Sequence, residues 1–114
     1  MLCKGNNFIL GFQGEFLCLG IPSDSIILSV ESCNGTSGEC VMATTTTKKV
    51  GNAVVGASQI AGSYDEFNLI ISHDCVDCSG ALRLPIPYNA VNCGEMKDNS
   101  YNFGKIELTD PEYC

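Results

Sequence analysis

The sequence predicts an all-β, two-sheet β-sandwich of about seven strands, stapled by disulfides and built by residues 1–114 as a single domain. Three observations lead there. Helical periodicity is missing from every window of about ten residues, while short β-rich runs recur between clusters of Gly, Pro, Asn, Asp and Ser. Those runs follow one another at roughly 10–20 residues, a spacing that suits a sandwich. Finally, the 114-residue chain carries eight cysteines. That approaches the density at which small secreted domains rely on bridges, and an even count allows complete pairing.

The elements follow in chain order. "FILGFQGEFLCLG" from Phe8 is the first strand. "SIILSVESC" from Ser25 places Ile26, Leu28 and Val30 on one face, the two-residue period of a half-buried strand. "ECVMATTTT" from Glu39 is β-rich and ends in a threonine run. The Gly-rich "KKVGNAVVGASQIAGSYDE" is the least strand-like segment, read as a flexible connection with one short strand near Val54 and Val55. "EFNLIISHDC" from Glu66 alternates again, with Phe67, Leu69 and Ile71 on one face. In "ALRLPIP" from Ala81, Pro85 and Pro87 put both missing N–H groups on one side, which suits an edge strand. "YNFGKIELTD" from Tyr101 supplies the last strand.

Charge narrows the partners. The formal net charge is −7 and only six residues are basic. Nucleic acid and anionic membrane surfaces require clustered Lys and Arg, so neither is expected as the main partner. Lys48-Lys49 is the one basic doublet, read as a solvated turn. No stretch approaches the ~18 apolar residues of a membrane span. Near the start, Lys4, Asn6 and Asn7 break any apolar signal-peptide core. Met1 is therefore read as a start codon added to a mature secreted chain whose signal peptide was removed.

The most chemical-looking stretch is "SHDCVDC", which holds the only histidine, His73, with Asp74, Cys75, Asp77 and Cys78. A structural zinc site needs about four ligands, and here one C-x-x-C stands without a second pair or a second histidine. A redox C-x-x-C opens a helix in a βαβ frame; this one follows a strand. No G-x-S-x-G is present to seat a nucleophile. The expectation is no catalytic residue, no metal, no cofactor and no enzyme, with Cys75 and Cys78 as half-cystines bridged elsewhere. Asn34-Gly35-Thr36 is an N-glycosylation sequon in the polar turn "NGTSGE". The flanking Cys33 and Cys40 are close enough to close that hairpin tip with a local disulfide.

Taken in order, "GEFLCLGIPSDSIILSV", "YDEFNLIISHDC", "LRLPIPYNAV" and "YNFGKIEL" with a terminal "YC" resemble the nematode transthyretin-like family. Gly14, Leu17, Cys18 and Pro22 match its first element, and His73, Asp74 and Cys75 its second. Ile86, Pro87 and Tyr88 match the third; Tyr101, Gly104, Ile106 and Leu108 match the fourth. The resemblance spans about Gln13 to Cys114. Cys3, Cys33, Cys40 and Cys93 are extra to the family pattern, and "ATTTTKKVGNAVVGAS" stands where the family has a T-D-x-x-G-x-F turn. It implies a transthyretin-like (prealbumin) sandwich in which His73, Asp74, Cys75, Pro87 and Gly104 are structural. In such a fold the first and last strands run in parallel. Cys3 and Cys93 then meet at one pole, and Cys18, Cys75, Cys78 and Cys114 at the other. That implies Cys3–Cys93 and two bridges among the remaining four, taken as Cys18–Cys78 with Cys75–Cys114.

The function that follows is a secreted, extracellular, non-enzymatic binding or signalling module of a nematode. It is read as an excretory-secretory effector whose partner is a cell-surface or extracellular protein of a host or neighbouring cell. The alternatives are a small hydrophobic ligand carrier and a C-x-x-C thiol or metal enzyme. No oligomeric state is assigned.

Overall fold

The computed structural model describes residues 7–23, 25–75, 78–93 and 100–114. Among them are ten strands in two sheets, with one short 3-10 turn at Tyr88–Ala90. The strands are β1 (Asn7–Cys18), β2 (Ile21–Pro22), β3 (Ile26–Cys33), β4 (Cys40–Thr44), β5 (Thr46–Val50), β6 (Ala53–Ala61), β7 (Glu66–Cys75), β8 (Cys78–Pro85), β9 (Val91–Cys93) and β10 (Ser100–Glu107). One sheet runs β10-β1-β6-β5, with β2 and β9 added to β1; the other runs β4-β3-β7-β8. β1 and β10 pair in parallel, whereas the other pairings are antiparallel.

Alternation builds the core between the sheets. From β1, Phe8, Leu10, Phe12 and Phe16 point inward; β3 contributes Leu28 and Val30, and β7 contributes Phe67, Leu69 and Ile71. The rings of Phe8 and Phe67 lie 5.2 Å apart and join the two layers. On one side the layers are continuous. The chain leaves β4 in one sheet and enters β5 in the other through Thr45, whose Oγ1 donates to the Leu28 carbonyl at 3.0 Å. Across the layers, β3 and β4 lie against β6, β7 lies against β1, and the start of β8 lies near the end of β10.

Two expectations need correction here. The strands among the described residues number ten, and the Gly-rich segment is no loose connection: it forms the β5–β6 hairpin, with the nine-residue β6 beside β1. Its inward positions Val54, Gly56, Ser58 and Ile60 are buried. Gly56 pairs with Phe12, and a Cβ there would sit 2.5 Å from Phe12 Cζ. The glycine makes room for a ring and does not signal flexibility. Lys48 and Lys49 consequently lie within β5, and the turn falls at Gly51-Asn52, with Gly51 at φ +64°.

Other elements sit where their chemistry directs. β8 is an edge strand ending at Pro85. Pro87 precedes the 3-10 turn, which needs no N–H from it, and the Tyr88 hydroxyl donates to the Asp65 carbonyl at 2.7 Å. Gly104, at φ +72°, occupies a bulge where Gln13 pairs with Asn102 but Glu15 pairs with Lys105.

Candidate functional site

β1, β7 and β10 all end at one pole, where the "HDC" stretch lies. Cys75 is bonded to Cys18, and Cys78 to Cys114. This corrects the expected pairing, Cys18–Cys78 with Cys75–Cys114, within the same four residues. The reason is the stacking of the layers. Cys75 ends β7, which lies over β1 and hence over Cys18. Cys78 begins the edge strand β8, which lies over β10, and its sulfur approaches the Leu108 carbonyl just beyond β10. Cys75 and Cys78 are register partners in the β7–β8 hairpin but belong to different bridges.

Between those bridges, His73 faces inward and is buried, opposite Gly80 on β8 and Ile26 on β3. Its Nδ1 makes no hydrogen bond. Asp74 faces outward and accepts a hydrogen bond from the Ser79 hydroxyl across the hairpin. The alternation of a strand thus separates the imidazole from the adjacent carboxylate.

At the tip of the pole, β1 turns through Leu19 and Gly20 into β2. Leu19 has φ +54°, the one non-glycine in the left-handed region among the described residues. Glu107 fastens this turn: Oε2 accepts from the Leu19 amide at 3.1 Å and Oε1 from the Gly20 amide. The same carboxylate accepts from the amide and hydroxyl of Thr109. Partial loss of hydration pushes the Glu107 carboxyl up, but the bonds from Thr109, Gly20 and Leu19 outweigh it and hold it below the ordinary glutamate range. What the turn presents is apolar. Leu19 is 63% exposed and Ile21 68%, and at the same end of the sandwich Ile27 on β3 is 72% exposed.

Beside that tip, where β3 meets the β4–β5 crossover, the sheets part around a cleft of about 440 Å³. Ile26, Leu28 and Val54 line it with apolar surface, Thr45 and Thr47 add hydroxyls, and Lys48 and Lys49 stand at its margin. Lys49 pairs with the buried Val54 and so shares its inward face, whereas Lys48 lies on the other face of the strand.

The opposite pole holds the Cys33–Cys40 disulfide, which closes the β3–β4 hairpin tip. Asn34 Oδ1 accepts from the amides of Thr36 and Ser37, and its Nδ2 donates to the Ser63 carbonyl. Glu31, Cys33 and Cys40 bring ligand-type atoms within 4.8 Å of one another. The two sulfurs, however, are bonded to each other, so neither offers a thiolate. Cys93 is also disulfide-bonded. The expected Cys3–Cys93 bridge involves Cys3, which lies outside the described residues.

Sequence reasoning thus brought the half-cystines of one pole together and missed the Leu19 turn, its Glu107 clasp and the cleft. Leu19 and Glu107 are 88 residues apart, and nothing local marks either. No helix among the described residues is long and apolar enough to cross a membrane. Neither a family model, nor a curated protein, nor a solved structure matches the chain.

Proposed function

We propose that this chain is a secreted, non-enzymatic binding domain related to the nematode transthyretin-like proteins, engaging an extracellular or cell-surface protein through the Leu19 pole. The parallel pairing of β1 with β10, and the meeting of Cys18, Cys75, Cys78 and Cys114 at one end, support the kinship. The observation that carries the binding reading is Leu19 itself. A left-handed residue other than Gly or Asn costs roughly 1–2 kcal/mol, and a side chain left 63% exposed recovers little of it by burial. Gly or Asn would make the same turn more cheaply. A leucine held there, with Ile21 and Ile27 exposed at the same end, is suited to fill a partner's apolar socket.

Photo-cross-linking of the oxidised protein to intact cells tests this against Leu19→Asn combined with Ile21→Thr. Asparagine tolerates the left-handed conformation, so the turn should survive. Surface proteins labelled by the native chain should be lost with the variant. An unchanged labelling pattern would overturn the reading.

A further inference from the structure

The Cys78–Cys114 bridge borders a cavity that shares no residue with the Leu19 turn, and the chain's only histidine stands in its wall. We propose that this bridge is an exchangeable disulfide: it opens to the free thiol of a partner, which becomes bonded to Cys114. The partner group is a small aliphatic thiol, the size of a cysteine side chain. This inference does not rest on the Leu19 reading.

Access comes first, because exchange requires a thiolate to reach one sulfur of the bridge. In Cys18–Cys75, Cys75 is buried and Cys18 half-buried. In Cys33–Cys40 the second sulfur belongs to an exposed residue, but the Glu31 carboxylate lies within 4.8 Å and repels an anion. Cys114 is exposed and Cys78 buried, so one sulfur of this bridge can be attacked while the other leaves. The cavity of about 200 Å³ reaches both, with His73, Ser79, Gly80 and Tyr113 in its wall. It falls below the roughly 300 Å³ of the smallest drug-sized sites and suits a single side chain. No acidic side chain is among the described residues that line it. Gly80 leaves the wall low: a Cβ there would meet nothing within 4 Å.

His73 handles the proton. On the inward face of the β7–β8 hairpin His73 pairs with Gly80 and Cys75 with Cys78, so His73 and Cys78 are diagonal neighbours. The imidazole is buried, 8% exposed, and its Nδ1 makes no hydrogen bond. A buried polar atom without a partner calls for a reason, and nothing at Nδ1 pins the tautomer. The step balances without an added oxidant. The partner's thiolate attacks Cys114 Sγ and a new S–S bond forms, while the Cys78–Cys114 bond breaks and leaves its electron pair on Cys78 Sγ. The proton lost by the partner's thiol is taken up by the imidazole and passed to Cys78. The Cys78 thiol then lies 3.3 Å from the Leu108 carbonyl and can donate to it.

Quenched thiol exchange on the oxidised protein tests this, with N-acetylcysteine amide as a neutral probe of the right size. Brief exposure, alkylation with iodoacetamide and peptide mass mapping should find the probe on Cys114 and the alkyl group on Cys78. Both should appear before Cys18–Cys75 or Cys33–Cys40 opens. This part of the test needs no variant. Cys18–Cys75 also serves as an internal gauge of global unfolding. His73→Gln should slow exchange at Cys78–Cys114 by about a hundredfold, the lower end for a lost proton-transfer group. It should not slow Cys18–Cys75. A substitution that merely loosens the fold would speed both. Earlier opening of either other bridge, the probe on Cys78, or a His73→Gln rate equal to or above the native one would each overturn the proposal.

Discussion

Glu107 and Leu19, 88 residues apart, are joined by a 3.1 Å hydrogen bond from the Leu19 amide to the Glu107 carboxylate. The last strand thereby fixes the turn that ends the first. Because these bonds favour the ionised carboxylate and hold its proton affinity low, the stability they contribute is fully present above the unfolded-state pKa of Glu107. It is lost as pH falls through the lower folded value. Acidification from the ordinary glutamate range downward should therefore lower the urea midpoint of the native chain more steeply than that of Glu107→Gln. Parallel slopes for the two proteins would refute the linkage.

The long bridge differs from the hairpin bridge in what it constrains. Cys18–Cys75 spans 57 positions and Cys33–Cys40 only 7. Loop-closure entropy predicts that replacing both members of the first pair by Ser costs about 4 kcal/mol, and of the second about 2 kcal/mol. Guanidinium unfolding of the two double variants measures the difference, and the reverse order would contradict the entropic account.

Gly56 gives a sharper packing test. A Cβ at this position would meet Phe12 Cζ at 2.5 Å and Cε2 at 2.8 Å, and Phe12 is fully buried. Gly56→Ala should destabilise by about 1–3 kcal/mol through overpacking. Adding Phe12→Leu should cost less than the sum of the single changes, since each relieves the other's misfit. Additive costs in a double-mutant cycle would show that the two positions do not meet.

Asn34 is both a sequon residue and the keystone of its hairpin tip. Its side chain accepts from Thr36 and Ser37 and donates to Ser63. Asn34→Ala should lose about 1–2 kcal/mol, whereas Asn34→Asp keeps the acceptor and should lose less. Thr36→Ala abolishes the sequon without removing any of those bonds. Expressed in a glycosylating host, the native chain should be heavier than Thr36→Ala by a glycan; equal masses after allowing for the substitution would show an unmodified Asn34.

What was legible in the sequence is the part written in large alternating side chains. Leu28 and Val30, like Phe67, Leu69 and Ile71, announce their strands because each inward position carries its own bulk. β6 hides because its inward positions include Gly56 and Ser58, where neighbours supply the bulk: Phe12 fills the space over the glycine, and the Ser58 hydroxyl donates to the Thr44 carbonyl. The lysine doublet looked like a turn because the true turn, Gly51-Asn52, lies only two residues further on. The cysteines showed which pole they share but not their partners, since those depend on which strand lies over which across the layers. The Glu107 clasp and the cleft exist only once residues from distant strands are brought together, so no local pattern encodes them.

The parallel partnership of β1 with β10 also bears on how the protein is made. In a chain synthesised from its N-terminus, the Gly11–Leu17 stretch of one edge of β1 stays unpaired until residues from Ser100 onward have emerged, so its sheet cannot be completed vectorially, hairpin by hairpin. Until then Phe8, Phe12 and Phe16 belong to a nascent layer whose apolar surface and open edge invite association with other chains. The high sequence separation of this pairing makes refolding slow, governed by closure of the whole loop and not by the neighbouring turns. A truncated chain ending before Ser100 should accordingly aggregate even when all the other strands are present.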